Sequence, residues 1–157
     1  LSGTVQPPGA PAAQLESVAQ LDLERHELHL HALHIDYRDQ KLRLQQTTTI
    51  AFGDGIVVSP LRLAIADTQL QASGRLLPTL ALKASVHNFT PERLRFLWPD
   101  VGAEGHADAE LELSGSLAKP QGQIRLQARG LRPKNGAARG LPATDIDGSA
   151  QLTPQGA

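Results

Sequence analysis

The chain has 157 residues, of which 40% are hydrophobic and only 3% aromatic, and its formal net charge is −1. This balance of charge argues against a dedicated nucleic-acid-binding protein, which would present a strongly basic surface. The absence of cysteine excludes disulfides and thiolate chemistry. No apolar run approaches the ~20 residues that a membrane-spanning helix needs.

Alternating apolar residues, the pattern of a half-buried β-strand, recur along the whole chain and predict an all-β fold. One change in the parity of the alternation stands out, because Leu28 and Leu30 are even-numbered whereas Leu33 and Ile35 are odd-numbered. One inserted residue near Ala32 or Leu33, a β-bulge, would return both sets to the same face.

Two segments between these runs carry other local signals. Gly53-Asp54-Gly55 separates two strand-like runs and predicts a hairpin. Further along, Thr90 can cap a helix that starts at Pro91 and stops before Pro99, so a short helix is predicted over 90–98. This helix would interrupt the series of strands.

The phrase LSGSLAKP, residues 113–120, recurs in variant form near residues 1–8, 72–78 and 147–154. Its glycine is expected to let a strand bend or bulge, and Leu117 to resume contact with the apolar face. Pro120 withholds an N–H group, so the strand is expected to end there. The repetition predicts degenerate units of about 35–40 residues. We expect residues 1–157 to be a fragment, cut at both ends, of a longer repetitive domain.

The run ERHELHLHALHIDY contains the candidate metal ligands His29, His31 and His34. Imidazoles suit zinc, but the run misses the HExxH motif because the residue four after His26 is Leu30. The competing interpretation is a polar outer face of a strand. With no GxSxG motif and no phosphate-binding glycine loop, neither an enzyme nor a cofactor is expected.

The segment 121–140 carries basic residues and no acidic one. A phosphate-bearing partner such as a lipid head group is one interpretation. A solvated strand and loop surface is the other. The basic residues are Arg125, Arg129, Arg132, Lys134 and Arg139.

The segment 84–132 resembles the TamB family, part of the AsmA-like group of bacterial envelope proteins. The family pattern G-x-x-x-A-x-L-x-L-x-G-x-L-x-x-P is matched by Gly105, Ala109, Leu111, Leu113, Gly115, Leu117 and Pro120. The resemblance implies an elongated, U-shaped β-sheet, or β-taco, in an inner-membrane-anchored protein of the Gram-negative periplasm. It also implies phospholipid transfer to the outer membrane, outer-membrane biogenesis and protein secretion. A TamA-like outer-membrane barrel would be the partner, through a region outside these residues.

Three functional hypotheses follow from the strand pattern and the resemblance. The first is an open groove that conducts phospholipids between the inner and outer membranes and binds their acyl chains. The second is a chaperone-like scaffold whose sheet edges pair with nascent outer-membrane β-barrel proteins or autotransporters. The third is a closed β-helix or sandwich with a structural role. The residues expected to line the groove are Leu61, Leu63, Ile65, Leu80, Leu82, Leu111, Leu113, Ile124 and Leu126.

Overall fold

The computed structural model describes residues 2–5, 13–38, 40–92, 102–135 and 139–153. Their regular elements are eleven antiparallel β-strands of one sheet, which confirms the predicted all-β fold. The strands are β1 (Ser2–Val5), β2 (Ala13–Asp22), β3 (Glu27–Tyr37), β4 (Gln40–Leu44), β5 (Thr48–Ala51), β6 (Ile56–Ile65), β7 (Thr68–Leu77), β8 (Leu80–Phe89), β9 (Ala103–Ser116), β10 (Lys119–Pro133) and β11 (Thr144–Leu152).

The strands follow one another across the sheet nearly in chain order. The order is β1-β2-β3-β4-β6-β7-β8-β9-β10-β11. The short strands β4 and β5 both lie between β3 and β6, each pairing with a different part of those strands. Consecutive antiparallel strands need only short turns, which explains the dense turn signals of the sequence.

Burial shows that this sheet is open. Among the described residues, Leu80 and Ala128 are the only buried apolar side chains, at 5% and 2% exposure. A closed sandwich would cover the apolar face with a second sheet. All the described strands instead belong to a single sheet. The described residues therefore do not form the closed β-helix or sandwich that was the alternative prediction. The open architecture is consistent with the predicted curved sheet.

The predicted bulge in the histidine-rich strand is confirmed. Val18 of β2 pairs with Ala32 of β3, but Ala19 pairs with Leu30, so His31 is the extra residue. It lies one position before the predicted site at Ala32 or Leu33. Because β3 gains a residue here, the leucines on either side of the bulge point to the same face.

The phrase LSGSLAKP forms a hairpin, which corrects part of its interpretation. Gly115 has a φ of 97° and supplies the predicted departure from regular strand geometry. The strand ends at Ser116, however, and Pro120 lies near the start of β10, where it pairs with Gly115. Leu117 occupies the turn and is exposed, so it does not rejoin the apolar face. The glycine and the turn, rather than the proline, reverse the chain.

The two other local predictions have different outcomes. The hairpin at Gly53-Asp54-Gly55 is confirmed, since the residues between β5 and β6 form a turn. Of the helix predicted over 90–98, Pro91 and Glu92 have 3-10 helical conformation, and residues 93–98 lie outside the described residues. The described parts of the chain contain no helix of the length and hydropathy that crossing a bilayer requires.

Candidate functional site

The strand register brings all nine predicted lining residues onto one side of the sheet. Directly paired residues of antiparallel strands share a face. Leu61, Leu111 and Ile124 lie in one row across β6 to β10, with alanines at the intervening positions on β7 and β8. Parallel rows hold Leu63, Ile65, Leu80, Leu82, Leu113 and Leu126. We call this side the apolar face. Its role in lipid binding stays a prediction.

Paired positions on the apolar face carry no charged residue from β2 to β11 within the described ranges. Their side chains are mainly those of Leu, Ile, Val and Ala, with a few neutral polar residues. Most of these positions are half-buried, and Ile124 and Leu126 near the β11 edge are 45% and 41% exposed. The face is therefore a continuous aliphatic surface that water still reaches.

Two threonines on the apolar face have a role that the sequence analysis did not predict. Thr48 and Thr68 are each 2% exposed. The Thr48 hydroxyl donates to the Ser59 carbonyl oxygen at 3.0 Å, and the Thr68 hydroxyl donates to the Asn88 carbonyl oxygen at 3.1 Å. Both acceptors lie where the register shifts, so the hydroxyls satisfy backbone groups that an irregular ladder leaves unpaired.

The opposite side, the polar face, carries ion pairs between neighbouring strands. Lys83 Nζ lies 3.0 Å from Glu112 Oε1, and Gln123 donates to Glu112 Oε2 at 3.0 Å. Two hydrogen bonds lower the pKa of Glu112 below its ordinary value. The bond from Lys83 has the larger effect, and the bond from Gln123 has the next largest. A shallow depression on this face is lined by these groups together with Arg125 and Glu110. Its charges thus already have partners within the sheet.

Three basic residues of the 121–140 segment lie beside acidic groups. Arg129 makes two 2.9 Å hydrogen bonds to the two carboxylate oxygens of Asp147. Arg125 lies 3.8 Å from Glu110, and Lys134 pairs with both Glu92 and Glu104. The hydrogen bond to Glu104 raises the pKa of Lys134. These pairs favour the interpretation of a solvated surface over a phosphate site.

The histidines of β3 do not assemble a metal site. His29 Nδ1 is 3.0 Å from the Thr49 hydroxyl oxygen, and His29 Nε2 is 3.2 Å from Glu27 Oε2. The rings of His29 and His31 stack with centroids 6.5 Å apart, and His34 pairs with Glu16 further along the strand. Nowhere in the described residues do three groups of His, Cys, Asp or Glu stand close enough to hold a metal ion.

The Arg129–Asp147 pair makes a testable contribution to stability. Its hydrogen bonds lower the pKa of Asp147 below the ordinary 3.8, so the stabilisation is present above pH 3.8 and is lost as the pH falls through the lowered value. We expect R129Q to lower the Tm at pH 6 by about 1–3 °C, a small shift because both partners are exposed.

This difference in Tm should narrow as the pH is lowered from 6 to 2.5, because protonation of Asp147 removes the charge that Arg129 binds. Thermal unfolding followed by circular dichroism checks it, and 1 M NaCl should shrink the pH 6 difference by screening. An equal difference at pH 6 and pH 2.5 would show that Arg129 acts through packing instead.

Comparison with protein-family models, with curated proteins and with solved structures found no match to this chain. Its function must therefore be inferred from the surfaces described above. Of these, the apolar face is the most extensive, whereas the ion pairs described on the polar face already join its charges to one another and the described histidines form no metal site.

Proposed function

We propose that the apolar face binds phospholipid acyl chains and that the chain is a segment of a groove conducting phospholipids between the inner and outer membranes. The observation that carries this proposal is a continuous, uncharged aliphatic face that remains half-exposed within an open sheet. The resemblance to the TamB family adds the cellular setting: the periplasm of a Gram-negative bacterium, an inner-membrane anchor and a TamA-like barrel partner.

The dimensions of the sheet suit an acyl chain. Five residues of a strand span about 16 Å at ~3.3 Å per residue. One leaflet of a bilayer has about 15 Å of hydrocarbon, half of the ~30 Å core. A five-residue stretch, half of the ten-residue strands β6, β7 and β8, therefore matches the length of an acyl chain, and neighbouring strands offer further equivalent positions.

The chemistry of the face favours mobile rather than fixed binding. Burial of apolar area contributes about 25 cal/mol per Å², and it has no preferred direction. The buried hydroxyls of Thr48 and Thr68 are already donated to backbone carbonyls, so they offer a head group no strong anchor. Acyl chains can thus move along the rows without meeting a deep energy minimum.

The experiment is native mass spectrometry of the purified 157-residue chain after incubation with phosphatidylethanolamine bearing 16- and 18-carbon acyl chains. The variant L111D/L113D places two carboxylates on the apolar face, where a bound acyl chain would strip them of water. We expect the population of lipid adducts to fall at least tenfold.

The matched control is S114D/S149D, which adds the same two charges on the polar face. It should bind lipid as the unmodified chain does, and circular dichroism should show unchanged β-structure in both variants. Absence of lipid adducts on the unmodified chain, or equal losses in the two variants, would refute the proposal.

A second candidate function is the scaffold for nascent outer-membrane proteins. It is favoured by β11, which pairs only with β10 among the described strands and has all nine residues exposed. Such a strand edge offers unpaired backbone groups to an incoming strand. The L111D/L113D variant distinguishes the lipid groove from the scaffold. If the scaffold is correct, an extended peptide from a β-barrel protein should still bind this variant at the β11 edge although lipid binding is lost.

A further inference from the structure

One edge of the sheet carries exposed apolar side chains at every hairpin. The hairpins β2–β3, β5–β6, β7–β8 and β9–β10 all turn at this edge, because alternate strands run in opposite directions. We call it the turn edge. The side chains at or beside its turns are those of Leu23, Phe52, Leu77 and Leu117, and Leu23 and Leu117 are 69% and 61% exposed.

The four turns follow one another along this edge, and close contacts join the first three. The Phe52 N–H donates to the His26 carbonyl oxygen at 2.8 Å, and the two rings meet edge to face with centroids 5.9 Å apart. The next turn packs closely as well, since a Cβ at Gly55 would lie 2.2 Å from the Leu77 carbonyl oxygen. Successive hairpins are two strands, or about 9.6 Å, apart, so the row extends about 29 Å.

The short described turns at the opposite edge have a different character. Its two short turns within the described residues contain Arg38 after β3 and Ala66-Asp67 after β6. Neither turn presents a bulky apolar side chain. The four hairpins of the turn edge therefore each carry a bulky apolar side chain and these two turns do not, whereas Leu141, 55% exposed, lies in the longer connection between β10 and β11 at the opposite edge.

We propose that the turn edge inserts its four apolar side chains into the interfacial region of a lipid bilayer. The side chains form separate points about 10 Å apart rather than a contiguous patch. A protein partner would need a pocket for each point, whereas the interface of a fluid bilayer accepts isolated apolar side chains wherever they fall.

The charges around the turns indicate the kind of lipid surface. Acidic and basic side chains are interspersed: Asp22 and Arg25 lie in or beside the first turn, with Oδ2 and Nε 3.9 Å apart, and Asp54, Arg75 and Lys119 lie near the others. With no dominant positive charge, attraction to anionic lipid is weak. A surface of zwitterionic head groups therefore fits best. This membrane contact does not depend on acyl chains binding the apolar face.

The test is flotation of the purified chain with phosphatidylcholine vesicles. The variant L23S/F52S/L77S/L117S changes only this edge, and we expect at least a tenfold loss of vesicle binding. The control V18S/L141S removes two exposed apolar side chains that lie away from the turn edge and should bind within twofold of the unmodified chain, whereas the two-residue variant L23S/L117S at the turn edge should lose binding. Binding should change less than twofold between 50 and 500 mM NaCl.

A second measurement reports insertion directly and uses the absence of native cysteine. An environment-sensitive fluorophore attached to L117C should shift its emission to the blue when phosphatidylcholine vesicles are added, and one attached to D67C at the opposite edge should not. No vesicle binding by the unmodified chain, equal losses in L23S/L117S and V18S/L141S, or equal shifts at both labels would each overturn the proposal. The L111D/L113D variant should still bind vesicles, so the failure of either proposal is recognised separately.

Discussion

Replacing Gly74 by alanine is expected to lower the free energy of unfolding by about 2–4 kcal/mol. Gly74 has a φ of 131°, a conformation that side chains with a Cβ avoid. A Cβ there would lie 2.0 Å from the Ala81 carbonyl oxygen of the adjacent strand. Relief of this clash requires β7 and β8 to separate locally, which weakens the ladder between them.

Gly148 supplies the matched control, because it occupies the equivalent place in another copy of the repeated phrase. A Cβ at Gly148 would have no heavy atom within 4 Å, and its φ is not in the left-handed region. We expect G148A to leave stability unchanged or raise it by about 0.5–1 kcal/mol through the lower entropy of the unfolded chain. Urea unfolding of both variants checks this, and equal effects would contradict the strain at Gly74.

Leu80 is the position at which loss of an aliphatic side chain should cost the most. It is 5% exposed, whereas its neighbours on the apolar face are half-buried. It pairs with Gly115, which has no side chain and in turn pairs with Pro120, so Leu80 fills the space in this row. We expect L80A to lower the free energy of unfolding by about 2–3 kcal/mol, from lost burial and from the cavity left behind.

The control for L80A is L117A, the same chemical change in a turn where the side chain is 61% exposed. Its expected effect on stability is within about 0.5 kcal/mol. Chemical denaturation measures both variants, and the slope with denaturant should stay the same if the folded surface is unchanged. A cost for L117A as large as that for L80A would mean that the apolar row at Leu80 is not the packed part of the sheet.

The faces of the strands could be predicted from the sequence because the period of two is a local property of the backbone. The nine proposed lining residues lie on one face because the strand segments that carry them keep a period of two and their register pairs apolar positions with apolar positions. The parity change in β3 even indicated a bulge, which the structure has at His31. An extra residue in a strand is visible in the pattern because it shifts every later apolar position by one.

Other features could not be predicted because they depend on pairs of residues far apart in the chain. Thr48 belongs to a polar run, TTT, that gives no sign of its partner, the Ser59 carbonyl. The basic run from 121 to 140 suggested unpaired charge, yet Asp147 and Glu110 on adjacent strands lie beside Arg129 and Arg125. The register between strands sets the position of a counter-charge. The spacing of residues within one strand does not specify that register.

By itself, the sequence determined an all-β chain, the residues of its apolar face and the hairpin at Gly53-Asp54-Gly55, because alternation and glycine conformation act over a few residues. Only the tertiary structure decided that the strands form one open sheet, that Leu117 lies in a hairpin turn and that the apolar turns align along one edge. These outcomes depend on which strands pair and in what register, and backbone hydrogen bonds between distant segments decide both.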